Sequence, residues 1–269
     1  MEAFSQLKLG ARERRRLARI GQGAGVHGYD AFGLHADGVA AAVARMLPLY
    51  RAWFRVTSRK IRNLPAKGPA IVVPNHGGYL PFDGAMLWTD IVLQSEPVRV
   101  PRFVMDNFVL RIPVVGTEFA RSGAVGGSRR NVHHLLEQGE LVVIFPEGVA
   151  GIGKPWSQRY KLQSFSLGHA EMAIRHAAPV VPVAILGPDE QFPFAFRLPV
   201  PAFGSPWVPV AIPPFPLPVP YRIVYGEPLE LHKRWTPEQA DLPAVVAEAA
   251  ASVRGALQAL IDRAPKEKP

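Results

Sequence analysis

Ile71-Val72-Val73-Pro74-Asn75-His76-Gly77-Gly78-Tyr79-Leu80-Pro81-Phe82-Asp83 is the stretch that decides the fold. An apolar run stops at a polar pair, Asn75-His76. Glycines and a proline follow, and Asp83 opens a helical pattern. A strand that gives way through a loop to a helix is the repeating unit of α/β proteins, whose chemistry sits at the carboxyl ends of strands. The same stretch puts a titratable base, His76, and a carboxylate, Asp83, at the two ends of one loop.

The pattern repeats outward. Apolar runs at Ala70–Pro74, Val98–Val104, Leu141–Phe145, Val180–Leu186 and Tyr221–Tyr225 read as strands. Helical periodicity lies between them, at Asp83–Leu93, after Ser128 and at Ser166–Ala177. It returns beyond Thr236-Pro237-Glu238. The alternation predicts one α/β domain with a largely parallel mixed sheet flanked by helices. Asp37 is a candidate cap for an N-terminal amphipathic helix running to about Arg59 and bent at Pro48. That division gives residues 1–36 as a basic extension and 37–269 as the domain. Gln191–Pro220 is aromatic and proline-rich, so an irregular path is expected there.

The net charge of +9 is unevenly placed. Residues 1–70 hold 13 Lys and Arg against 4 Asp and Glu, while residues 71–269 hold 18 of each. Such a basic segment favours an anionic surface. No nucleic-acid-reading module accompanies it, so nucleic acid is not an expected partner. No apolar h-region opens the chain. The one uncharged run of spanning length, Leu198–Tyr221, is broken by prolines. The expectation is a peripheral protein on the cytoplasmic face of a membrane. The absence of cysteine removes thiolate nucleophiles and thiolate metal sites. Richness in Ala, Arg and Pro points to a high-GC bacterial source.

Several chemistries find no motif: no G-x-S-x-G elbow, no H-E-x-x-H pair and no Walker loop. His133 and His134 are adjacent on a helix and face different ways, so they make a poor metal pair. Four signals remain, each at an apolar run: Asn75-His76 with Asp83; Gly116-Thr117-Glu118-Phe119-Ala120-Arg121; Phe145-Pro146-Glu147-Gly148; and Val180-Val181-Pro182-Val183. Their order and spacing resemble the four blocks of the glycerolipid acyltransferase superfamily, the lysophospholipid and glycerol-3-phosphate acyltransferases. The likeness runs from about Leu64 to Leu229.

The resemblance implies roles. His76 takes the proton of an acceptor hydroxyl and Asp83 orients its ring, as in the hydrolase triad but without a covalent acyl-enzyme. Backbone N–H groups near Gly77, Gly78 or Gly148 are candidates for the oxyanion. Gly116, Phe119, Arg121, Glu147, Gly148 and Lys161 are candidate acceptor contacts, and Arg121 suits a phosphate oxygen. The donor is acyl-CoA or an acyl-carrier protein, as co-substrate. The acceptor is a glycerolipid such as 1-acyl-glycerol-3-phosphate, and neither a metal nor a bound cofactor is implied.

Two departures bear on this. Six residues separate His76 from Asp83, where the family usually has four. Asp83 must therefore come round on a bulged loop, or Glu147 partners His76 instead. The third block continues Val149-Ala150 rather than Thr-Arg. That weakens a phosphate-bearing acceptor unless Lys154, Arg159 or Lys161 substitutes, and it brings mono- and diacylglycerol acceptors into view. An inactive lipid-binding protein on the same fold is the other class considered. The intact His76, Asp83 and Glu147 argue against it.

Overall fold

A computed structural model describes residues 9–21, 25–192, 194–199, 208–212 and 215–264. Among these, nine strands form: β1 (Thr57–Arg59), β2 (Ala70–Pro74), β3 (Arg102–Met105), β4 (Val125–Gly126), β5 (Leu141–Val143), β6 (Val180–Leu186), β7 (Phe194–Leu198), β8 (Val208–Ile212) and β9 (Arg222–Tyr225). Seven of them make one sheet in the order β1-β9-β6-β2-β5-β3-β4. The five strands from β6 to β4 are mutually parallel. β9 runs antiparallel to β6, and β1 is parallel to β9. The central strands β2 and β6 are buried along their whole length, as a parallel sheet covered on both faces requires.

The α-helices are α1 (Ala11–Leu17), α2 (Ala36–Pro48), α3 (Phe82–Gln94), α4 (Asn107–Leu110), α5 (Val115–Arg121), α6 (Arg129–Glu137), α7 (Gly168–Arg175) and α8 (Pro243–Arg263). They cover the sheet in two layers set by the two-residue period of the strands. Ile71, Val73, Val142 and Val180 face α6, α7 and α8. Ala70, Val72, Val143 and Val181 face α1, α2 and α3. α8 is long and apolar enough to cross a membrane. Here its Val246, Ala249, Val253, Leu257 and Leu260 are buried against the sheet.

Three local expectations are corrected. The α2 cap is His35, whose Nδ1 accepts from the Asp37 amide at 3.1 Å. Asp37 sits inside the first turn, where its charge complements the helix dipole. The α-helix does not reach Arg59. It ends at Pro48, and a single π-type turn, Leu49–Trp53, carries the chain on through a Phe54 N–H to Leu49 O bond of 2.8 Å. Pro48 lacks the amide to continue the α ladder. Downstream, the expected irregular path contains the antiparallel ribbon β7–β8. Each strand of a two-stranded ribbon has one edge free of ladder bonds, so Pro209 is tolerated. Residues 193, 200–207 and 213–214 of that stretch lie outside the described residues.

Within the basic N-terminal segment, Leu9 and Leu17 are buried, and Arg16 caps the end of α3. Arg16 donates to Val92 O at 2.7 Å and to Ser95 O, and it pairs with Glu96 at 2.6 Å. Asp30 joins the following loop to the sheet through Arg102 at 2.5 Å. α3 itself is held by Asp90, which is buried. Tyr50, Ser58 and Tyr225 hydroxyls donate to its carboxylate at 2.6, 2.8 and 2.6 Å. Burial raises its pKa above the usual carboxylate range, and the three donors oppose that rise.

His169, in the first turn of α7, is a buried neutral imidazole. Its Nδ1 donates to Ser166 O at 2.8 Å, and Nε2 is buried without a partner. Burial lowers its pKa from 6.5 to about 4. The unfolded chain binds this proton below pH 6.5 and the folded chain only below about 4. The stability that His169 contributes is therefore present above this window and lost as pH falls through it, by about 3 kcal/mol in full. Urea denaturation at pH 7 and at pH 4.5 is expected to show that loss, and His169→Gln is expected to reduce it.

Candidate active site

β2, β5 and β6 are neighbours in the sheet, and their carboxyl ends deliver Asn75-His76, Pro146-Glu147 and Pro188-Asp189 to one place. Asn75 is buried and pairs with both backbone groups of Ile185 on β6. Its Nδ2 donates to Ile185 O at 3.0 Å, and Ile185 N donates to its Oδ1 at 2.7 Å. The side chain thus extends the β2–β6 ladder by one rung and fixes the start of the loop.

The loop after His76 does bulge. Gly78 takes a φ of +77°, and a Cβ there would meet Gln191 Nε2 at 2.2 Å. Phe82 N donates to Leu80 O at 2.7 Å, which turns the chain into α3. Asp83 comes round as the second residue of that helix, and its Oδ2 lies 2.5 Å from His76 Nδ1. The carboxylate is fully buried. It also accepts from Gly77 N at 3.0 Å and Gly84 N at 2.7 Å, at the positive end of the helix. A carboxylate oxygen only accepts, so Nδ1 is the ring nitrogen that donates to it, and Nε2 points away from that bond. The His76 ring stacks against Phe145 at 4.3 Å, is 13% exposed, and has no other hydrogen bond among the described residues.

Glu147 does not reach the imidazole ring. Its Oε1 accepts from the His76 amide at 2.9 Å, and Oε2 accepts from Gln163 N at 2.8 Å. Beside it lies Lys154, whose side chain is only 2% exposed. Lys154 Nζ donates to His76 O at 3.0 Å and stands 3.9 Å from both Glu147 Oε2 and Asp189 Oδ2. Asp189 accepts from Gly78 N at 3.2 Å and from Tyr160 N at 2.7 Å. The part Asp189 plays was missed in the sequence. Its signal was an acid just past an apolar strand, in Gly187-Pro188-Asp189.

The expected oxyanion donors are already engaged. Gly77 N and Gly78 N go to Asp83 and Asp189, and Gly148 N donates to Phe145 O at 3.1 Å. Each amide is spent on a carboxylate or carbonyl that folding buries beside it, a pairing that residue type does not reveal.

The second block lies apart. Gly116 is in α5, where a Cβ would sit 2.0 Å from Leu110 O, so only glycine allows that approach. Phe119 is half-buried on the same helix. Arg121 ends it, against Gly38 of α2, and its Nε is buried with no partner. No hydrogen bond or ion pair among the described residues joins Gly116, Phe119 or Arg121 to His76. The Lys161 side chain is exposed, while its carbonyl accepts from Lys154. Elsewhere, His133 and His176 meet through their ring nitrogens at 2.8 Å.

Comparison with known proteins bears on this arrangement. The sequence model of the acyltransferase family matches residues 55–186. Uncharacterized proteins of Mycobacterium tuberculosis (strain ATCC 25618 / H37Rv) and Mycobacterium bovis are each 35% identical over 252 residues, covering 89% of this chain and 70% of theirs. One of Mycobacterium leprae is 37% identical, covering 80% of this chain and 61% of its own. The crystal structure of the 1-acyl-sn-glycerophosphate (LPA) acyltransferase PlsC from Thermotoga maritima superposes with a TM-score of 0.57 at 19% identity, covering 86% of this chain and 81% of that one. At that identity the likeness is one of fold. The matched region spans β1 to β6 and holds His76, Asp83, Glu147 and Lys154, and the relatives are bacterial. This chain belongs to the acyltransferase family.

Proposed function

We propose that the protein moves a fatty acyl group from acyl-CoA or an acyl-carrier protein to the free hydroxyl of a lysophospholipid, such as 1-acyl-glycerol-3-phosphate. The observation that carries this is the His76–Asp83 pair, with Nδ1 held and Nε2 open. Nε2 takes the acceptor's proton as its oxygen attacks the thioester carbonyl. The C–S bond then breaks, the ester forms, and the imidazolium returns the proton to the leaving thiolate. This route needs no acyl-enzyme and no metal. Arg121 supports a phosphate-bearing acceptor, because an unpaired, half-buried guanidinium favours an anion. Gly116 and Phe119 then serve by holding the helix that carries it. Lys161 is free to meet charge at the site's edge, whereas Glu147 and Gly148 shape the loop beside the base.

A second reading, transfer to mono- or diacylglycerol, has a specific support. Lys154 is committed to His76 O, and Val149-Ala150 brings no cation in its place. An anionic membrane surface is the proposed location for either acceptor. Trp53 and Phe215 are 40% and 75% exposed on one patch with Arg55, where Trp53 Nε1 and Arg55 bond to the Pro216 and Pro218 carbonyls.

The test is purified protein with acyl-CoA and a panel of lysophospholipids, mono- and diacylglycerols, with products read by mass spectrometry. Lysophosphatidate is expected to be the better acceptor, and Arg121→Ala to raise its KM by about tenfold, the worth of one charged contact. Faster turnover of monoacylglycerol, indifferent to Arg121, would select the second reading.

A further inference from the structure

We propose that residues 160–163 form a clamp that fixes the His76 loop, with Lys154 as a positioning residue at its centre. The inference rests on reading His76 as the base. Three buried charged side chains each bind the 76–78 loop on one side and the 160–163 segment on the other. Glu147 bridges His76 N and Gln163 N at 2.9 and 2.8 Å. Asp189 bridges Gly78 N and Tyr160 N at 3.2 and 2.7 Å. Lys154 bridges His76 O and Lys161 O at 3.0 and 3.5 Å. His76 is thereby held by both its N–H and its C=O, apart from anything its ring does.

The charges explain why the three act together. Two carboxylates buried side by side repel each other and are costly to desolvate. The ammonium of Lys154 stands 3.9 Å from one oxygen of each. It offsets both while spending its hydrogen bonds on carbonyls. A lysine 2% exposed and so committed is a brace, not a surface cation awaiting a phosphate.

The segment is anchored on its far side to α8. Gln258 accepts from Leu162 N and donates to Tyr160 O, each at 3.1 Å, and Arg254 donates to Leu162 O at 2.7 Å and Gln163 O at 3.1 Å. Tyr160 has a φ of +61°. Its hydroxyl accepts from Gly187 N at 2.8 Å and donates to Glu190. Burial and the Glu190 charge keep that hydroxyl protonated. A left-handed tyrosine persists only where its surroundings hold it. A continuous chain of bonds thus runs from the C-terminal helix to the base.

Two variants test the clamp. Lys154→Met removes its centre. Arg254→Ala with Gln258→Ala removes its anchor on α8, away from the buried charges, and is expected to fold. In each, kcat is expected to fall about tenfold or more while KM for acyl-CoA stays within about twofold, since a misplaced base slows the chemical step without weakening substrate binding. If Lys154→Met does not fold, the double variant decides. A folded double variant with kcat within about twofold of the parent would overturn the clamp, as would a raised KM at unchanged kcat. His76→Ala is assayed alongside. Should that variant stay active, the reading of His76 fails and the clamp with it. An inactive His76→Ala beside an undiminished double variant rejects the clamp alone.

Discussion

A His76→Ala variant is expected to lose about 10²–10⁴-fold in kcat for acyl transfer, the range for a positioned general base, with little change in thermal stability. The small structural effect follows from how His76 is held. Glu147 and Lys154 bind its backbone N–H and C=O, and alanine supplies both groups unchanged. Asp83 loses one partner and keeps the Gly77 and Gly84 amides. What disappears is the imidazole, the one titratable group with an unengaged nitrogen at the carboxyl end of β2. Asp83→Asn is expected to come close to the same loss. An amide nitrogen facing Nδ1 favours the tautomer with its proton on Nε2, which cannot accept one from the acceptor hydroxyl. Because the two side chains act as a unit, the double variant is expected to be hardly worse than either single one. Steady-state release of free thiol from acyl-CoA measures all three. A His76→Ala protein retaining kcat within tenfold of the parent would dismiss the imidazole as the base.

Gly151→Ala is expected to be damaging although it adds a single methyl beside the site. Gly151 closes the turn Gly148–Gly151, and its φ is not left-handed, so the backbone itself accepts alanine. The obstacle is space. The new Cβ would lie 2.7 Å from His76 Cβ and 2.9 Å from Glu147 Cβ. Neither neighbour can yield freely, since Glu147 is buried with both oxygens bonded and His76 is held through its backbone. His76 must move by a few tenths of an ångström, or the turn must. A fall in kcat of about 10–10²-fold is expected from misplacement, with about 1–3 kcal/mol of destabilisation from overpacking. Gly168→Ala serves as the control, because a Cβ there meets nothing within 4 Å. Equal kcat in the two variants would show that the Gly151 contact does not transmit to His76.

Much of the architecture was legible because burial leaves a period in the sequence. Ile71-Val72-Val73 and Val180–Leu186 had to be strands covered on both faces, and the helical stripe of α8 had to lie on a sheet. What misled was local chemistry that depends on partners. His35 rather than Asp37 caps α2, because the chain enters that helix two residues earlier. The prolines after Gln191 suggested no regular structure, yet a two-stranded ribbon has a free edge that receives Pro209. The site divided in the same way. The residue types His76, Asp83 and Glu147 stood out in the sequence. Their pairing did not, because six intervening residues leave both Asp83 and Glu147 within reach of the ring.

The sequence by itself determined the alternation of strands and helices, the position of His76 at a strand end and the family to which the chain belongs. Periodicity and short motifs are local, and each survives in one dimension. Tertiary structure alone decided that Asp83 meets the ring while Glu147 takes the peptide. It alone decided that Lys154 is buried against the His76 carbonyl and that Asp189 binds the Gly78 amide. Those outcomes depend on which carboxylate, amide and ammonium are buried together where β2, β5 and β6 end side by side. Strand order in the sheet sets that neighbourhood, and no spacing along the chain records it.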